Sequence, residues 1–336
     1  MTGSAPLLEI HGLHVGFQAG PLLLPAVRGV DLALGDGETL GLVGESGSGK
    51  SVTMMAVMGL LPQNARLSGS IRFRSEEILG LNDREMRPYR GKRIGMIFQD
   101  PMTTLNPLLT IGEQIAEAIR IHDRSIGRRA AWNRAIDLLD QVSIPAPAKR
   151  AQQYPHEFSG GMRQRAVIAM AIANDPELLI ADEPTTALDV TIQAQIMELL
   201  KRLCEERHMG MVLVTHDLGV VAGTADSIAV MYAGRIVEHG PVGSVLTSPH
   251  HPYSMALLDS LPRLDERVER LAAIPGAPPS LAAMPSGCAF HPRCAMAIDR
   301  CRLADPPLRQ VGDARVACLR VEELAEQRHR REVSPC

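Results

Sequence analysis

Gly44-Glu45-Ser46-Gly47-Ser48-Gly49-Lys50-Ser51 restricts the fold more than any other stretch of the chain. Glu38 to Val43 before it reads as a strand, and Lys50 to Leu61 after it reads as a helix. A strand, a glycine turn and a helix in that order belong in an α/β domain with buried parallel strands. The turn also carries chemistry. Its glycines let backbone N–H groups wrap phosphates, Lys50 adds positive charge at the β and γ phosphates, and the Ser51 hydroxyl suits Mg²⁺. Met54, Met55 and Met58 just behind the turn read as core.

From Leu7 to about Glu238, strand-like and helix-like runs alternate. Arg93 to Phe98, Leu178 to Ala181 and Met211 to Val214 suit further buried strands, and an antiparallel edge is expected near the start. About 105–175 reads as a helical insert, with Ile136, Leu139 and Val142 on one stripe. Ser227 to His239 reads as a hairpin around Ala233-Gly234. The expected division is a nucleotide-binding domain over 1–260, a proline-rich linker over 261–287, a cysteine-rich region over 288–320 and a mobile charged tail over 321–336.

A second stretch reads as an anion-binding helix start. In Phe158-Ser159-Gly160-Gly161-Met162-Arg163-Gln164-Arg165, Ser159 can cap the following helix, and Gly160 and Gly161 leave N–H groups uncovered at its positive end. The run has no lysine, so the nucleotide must be delivered by another surface. Asp182 and Glu183 end the apolar run Leu178 to Ala181, where buried charge is costly without a cation or a proton to handle. Asp182 is expected to hold Mg²⁺, directly or through water, and Glu183 to orient or deprotonate an attacking water. Gln99 could reach the metal or that water, and His216 the γ-phosphate. Asp189 is placed at a subunit boundary, and Phe17 is a candidate to stack on adenine.

The balance of 35 basic against 38 acidic residues gives a formal charge of -3, which does not indicate a nucleic-acid-binding face. The longest apolar run, Ala166 to Ala173, has eight residues, too few to cross a bilayer. No secretory leader is read at the start, so a cytoplasmic chain with a peripheral membrane role is expected.

In order along the chain these positions resemble the ATP-binding-cassette family: Phe17, Gly44 to Ser51, Gln99, Ser159 to Gln164, Asp182 and Glu183, Asp189, then His216. The resemblance covers about residues 7–240, with Phe158 in place of the usual leucine before the signature serine. It implies an α/β fold with a RecA-like core, an antiparallel β subdomain and a helical signature subdomain. It also implies ATP and Mg²⁺ as ligands, with Thr53 among the nucleotide-contacting positions. Catalysis would fall to Glu183, His216 and Gln99, and Mg²⁺ to Ser51, Gln99 and Asp182. Because the chain has one phosphate loop, its signature run implies a partner cassette, identical or a sister subunit.

Cys288, Cys294, Cys301 and Cys318 are separated by five, six and sixteen residues, while Cys204 and Cys336 stand apart. Four thiols in a reducing compartment read as a metal site. The short C-x₂₋₄-C turn common in zinc sites is absent, so a [4Fe-4S] cluster comes first and Zn²⁺ second. His291 reads as structural. The run Gly287-Cys288-Ala289-Phe290-His291-Pro292-Arg293-Cys294 and the ending Val316-Ala317-Cys318 are similar to the C-terminal region of dipeptide and oligopeptide importer ATPases. So are Tyr89-Arg90-Gly91, His250-His251-Pro252-Tyr253 and Ile274-Pro275-Gly276. That resemblance implies two membrane permeases and an extracytoplasmic binding protein as partners, at the inner face of the cell membrane. Nickel or another solute as cargo, and a cassette acting without a membrane, are the alternatives.

Overall fold

The computed structural model describes residues 5–186, 188–260 and 274–324. Ala187, residues 261–273 of the expected linker, the end of the charged tail and Cys336 lie outside them. The first strands, β1 (Leu8–Ala19), β2 (Leu22–Leu34), β4 (Ala65–Phe73) and β5 (Glu76–Glu77), form an antiparallel sheet in the order β2-β1-β4-β5. This is the antiparallel edge expected from sequence.

Among the described residues the larger sheet has eight strands. Five are parallel: β3 (Thr39–Val43), β6 (Ile94–Ile97), β7 (Leu178–Asp182), β8 (Gly210–Thr215) and β9 (Ser227–Tyr232), in the order β9-β3-β8-β7-β6. β3, β6, β7 and β8 are buried at every position, which explains their continuous apolar runs. β10 (Arg235–Pro241) returns antiparallel to β9 through Ala233-Gly234, both with positive φ (46° and 80°). Positive φ at both central residues suits a tight hairpin turn.

The insert between β6 and β7 is helical, as expected. Ile111–His122 begins in a capping box between Thr110 and Glu113 and buries Ile111, Ile115 and Ile119. Arg128–Gln141 packs beside it through Ala131, Ala135, Leu138 and Leu139. Gly160–Ala171 follows. Glu177 fastens the two sheets together, accepting from Arg74 Nε at 2.8 Å and Arg93 Nε at 2.7 Å.

The cysteine-rich region corrects the expected boundary. It is no separate small domain: β11 (Arg309–Val311) and β12 (Ala314–Val316) extend the main sheet beyond β10. Phe290 packs its ring edge-on against Tyr232 and Tyr253, with centroids 5.2 and 5.3 Å apart. Such contacts contribute about 0.5–1.5 kcal/mol each beyond area burial. The tail assignment also starts too early. Val321 and Leu324 are buried, because a helical turn folds them against the core. Among the described residues no helix is long and apolar enough to cross a membrane.

Candidate functional site

The carboxyl ends of β3, β6, β7 and β8 share one edge of the sheet, where ligands of open α/β folds are received. β3 runs directly into the phosphate loop. Gly44 and Gly49 have φ of 151° and 106°, and a side chain at Gly44 would put its first carbon 2.1 Å from the Met231 carbonyl. Only glycine fits there, so the loop's N–H groups stay open. Lys50 Nζ donates to the carbonyls of Gly44 at 2.8 Å and Glu45 at 3.0 Å. Burial lowers its pKa, against the pull of Glu183 and Asp182.

Ser51 Oγ donates to Asp182 Oδ1 at 2.9 Å, joining the loop's helix to the end of β7. Burial raises the Asp182 pKa, since this carboxylate has little water to solvate its charge. The next residue, Glu183, has φ of 48°, outside the ordinary range for a residue with a side chain. Its N–H donates to Val214 O at 2.8 Å, and its carboxylate accepts from Gln99 Nε2 at 2.8 Å and Thr186 Oγ1 at 2.9 Å. His216 Nδ1 stands 3.4 Å from the other carboxylate oxygen. The structure therefore brings Lys50, Ser51, Gln99, Asp182, Glu183 and His216 together. The buried Ser48 hydroxyl has no partner, an orphan that an anionic oxygen in the loop would satisfy.

The other expected positions are not bonded into this cluster. Thr53 is fully buried, and its hydroxyl donates to Gly49 O at 2.9 Å, which props the loop from behind. Gln164 is buried at 2% exposure within the helix, because helical periodicity turns it inward. Ser159 caps that helix through Met162 N at 3.3 Å, and Ser159 and Gly160 are exposed. Gly161 has a packing reason to be small: a side-chain carbon there would sit 2.8 Å from Ile192 Cγ2. Asp189 caps Val190–Arg207 through Ile192 N at 3.0 Å. Phe17, half-buried on β1, packs at the margin of the core.

The expected metal centre is not supported by the arrangement of the thiols. Cys288, Cys294, Cys301 and Cys318 line one small cavity of about 20 Å³. Burial pushes the Cys288 thiol up to about 11 and raises Cys294 and Cys318. Yet among the described residues no group of three or more His, Cys, Asp or Glu side chains is arranged to hold a metal ion. The thiols share a wall without forming a coordination shell.

Residues 27–186 match the ABC transporter family model, and residues 237–301 match that of the oligopeptide/dipeptide transporter C-terminal region. An oligopeptide transport ATP-binding protein, OppD, of Salmonella typhimurium is 50% identical over 320 residues, covering 95% of either chain. The chain belongs to the ATP-binding-cassette transporter family. A putative peptide import ATP-binding protein of Brucella abortus is 52% identical to this cassette, over 95% of the cassette and 98% of the relative. OppD of Mycobacterium bovis is also 52% identical over 95% of the cassette, which spans only about half (52%) of that longer relative. Among solved structures, a dimeric cassette in a post-hydrolysis state with ADP and Pi superposes with a TM-score of 0.63 at 30% identity. It covers 70% of this chain and 98% of that one.

Sequence reasoning missed Tyr253 and Arg293. Tyr253 OH accepts the Glu45 N–H at 2.9 Å, and Arg293 binds the Glu45 carboxylate. Their only signal was membership of runs shared with importer ATPases.

Proposed function

We propose that the chain binds MgATP and hydrolyses it as the motor subunit of a peptide importer, docked at the cytoplasmic face of the membrane. The observation that carries this reading is the bonded constellation Ser51–Asp182 beside Gln99–Glu183 at the mouth of the phosphate loop. Lys50 and the loop N–H groups would hold the β and γ phosphates. Ser51 and Asp182 would hold Mg²⁺, with Gln99 within reach, and the ion would neutralise phosphate charge when bound. Glu183 would accept the proton of the attacking water, and His216, 3.4 Å from its carboxylate, would contact the γ-phosphate.

Ser159 and Gly160, exposed at a helix start, would close over ATP held by a second cassette, as their lack of a lysine requires. Asp189 lies in the segment that would face that partner. Two permeases and an extracytoplasmic binding protein complete the complex. Peptide as cargo is supported by the names of the relatives and by the C-terminal family match. A [4Fe-4S] centre ahead of Zn²⁺ rests on the four thiols sharing one cavity wall, which form no coordination shell among the described residues. Iron and sulfide analysis of anaerobically purified protein tests this, and a colourless, zinc-only protein would overturn the cluster.

Glu183→Gln keeps the size and the Gln99 contact while removing the base. Phosphate release is expected to drop by about 10²–10⁴-fold with MgATP binding retained. Wild-type turnover in that variant would sink the assignment.

A further inference from the structure

Glu45 is an acid inside a loop built for anions. Its negative charge, left alone, would repel a polyphosphate at the neighbouring N–H groups. The opposing charge comes from 248 residues further along the chain. Arg293 grips the Glu45 carboxylate in a fork, Nη1 to Oε2 at 2.6 Å and Nη2 to Oε1 at 2.9 Å. The side chains are 6% and 25% exposed, so water screens the pair weakly.

Arg293 is itself held in place. Its Nε donates to Pro275 O at 2.9 Å, its Nη1 donates to Tyr232 OH at 3.3 Å, and its guanidinium lies over the Tyr232 ring. The backbone of Glu45 is fixed as well: its N–H donates to Tyr253 OH, and its carbonyl accepts from Lys50 Nζ. One loop residue thus joins the phosphate-facing lysine to the C-terminal region.

We propose that Arg293 is a positioning residue of the nucleotide site, which neutralises Glu45 and holds the phosphate loop in its receiving shape. The proposal rests on reading Gly44–Ser51 as the ATP site. Arg293 acts through Glu45 and touches no phosphate. Because it lies between Cys288 and Cys294, the thiol-lined segment becomes part of the support of the ATP site.

The test is MgATP titration calorimetry on the full chain, with thermal melts to check folding. Arg293→Gln is expected to weaken MgATP binding about tenfold or more, because it leaves Glu45 charged and unpaired beside the phosphates. Glu45→Gln in the Arg293→Gln background should recover most of that loss by removing the repelling charge. A purely structural arginine would show no such recovery, so a double variant no better than Arg293→Gln overturns the proposal. Wild-type affinity in Arg293→Gln overturns it too. If Arg293→Gln does not fold, Arg293→Lys and Glu45→Gln alone carry the test. Lysine keeps the charge without the fork and should bind within about threefold of wild type. Glu45→Gln breaks the fork but also removes the repelling charge, so it should bind MgATP less than about tenfold more weakly than wild type, and a larger loss there overturns the proposal. No MgATP binding by the wild-type chain would instead defeat the ATP reading itself.

Discussion

The Gln99 amide donates a 2.8 Å hydrogen bond to the Glu183 carboxylate, joining the start of the helical insert to the end of β7. The same carboxylate oxygen accepts from Thr186, and the Glu183 backbone is tied to β8 at Val214. A shift of the insert must therefore pull on the group proposed to activate water.

Ser51→Ala removes the hydroxyl that Asp182 accepts. If both face Mg²⁺, the Mg²⁺ concentration giving half-maximal ATPase activity should rise about 10–100-fold, while the fold survives. A Mg²⁺ titration of phosphate release reads this. An unchanged midpoint would remove Ser51 from the metal site.

Gly161→Ala drives a methyl to 2.8 Å from Ile192 Cγ2, whereas Gly160→Ala finds Leu188 at an ordinary 3.5 Å. The first should destabilise by about 1–3 kcal/mol and the second by much less. Ile192→Ala should restore part of the loss at Gly161. Equal urea midpoints for the two glycine variants would count against packing as the reason for Gly161.

His239 Nδ1 accepts from Arg315, and His251 Nδ1 accepts from Tyr253 N, roles open only to an unprotonated nitrogen. Burial first, and for His239 the nearby Arg315, holds both at about 4 against the ordinary 6.5; Glu38 and Glu238 oppose this weakly. As the pH falls, the unfolded chain takes these protons before the folded one. Stability should hold above pH 6.5, decline between 6.5 and about 4, and gain no further loss from these groups below 4. Urea midpoints across pH measure the slope, and His239→Gln should reduce it. A slope untouched by that substitution would exclude His239.

Much of the site was readable in the order of residues. The phosphate loop, the acidic pair ending β7 and Gln99 after β6 each sit next to a strong local pattern, a buried strand followed by a turn. Thr53 and Gln164 are turned away from solvent for one reason. Their hydrogen-bonding chemistry suits a ligand, but the helical turn points one into the Gly49 carbonyl and the other into the core. Side-chain direction in a short helix depends on packing, which spacing alone does not reveal. The cysteines showed the converse: their clustering was visible, but their merger with the main sheet was not, because β12 pairs with β10 across a long sequence gap.

By itself, then, the sequence determined the local machinery, because glycine turns, caps and apolar runs act over a few residues. Only the tertiary structure decided that Arg293 neutralises Glu45 and that Gln99 holds Glu183, since both contacts join residues far apart in the chain. Charge pairing over such separations depends on which sheet edges and loops the fold brings together, and no local pattern encodes it.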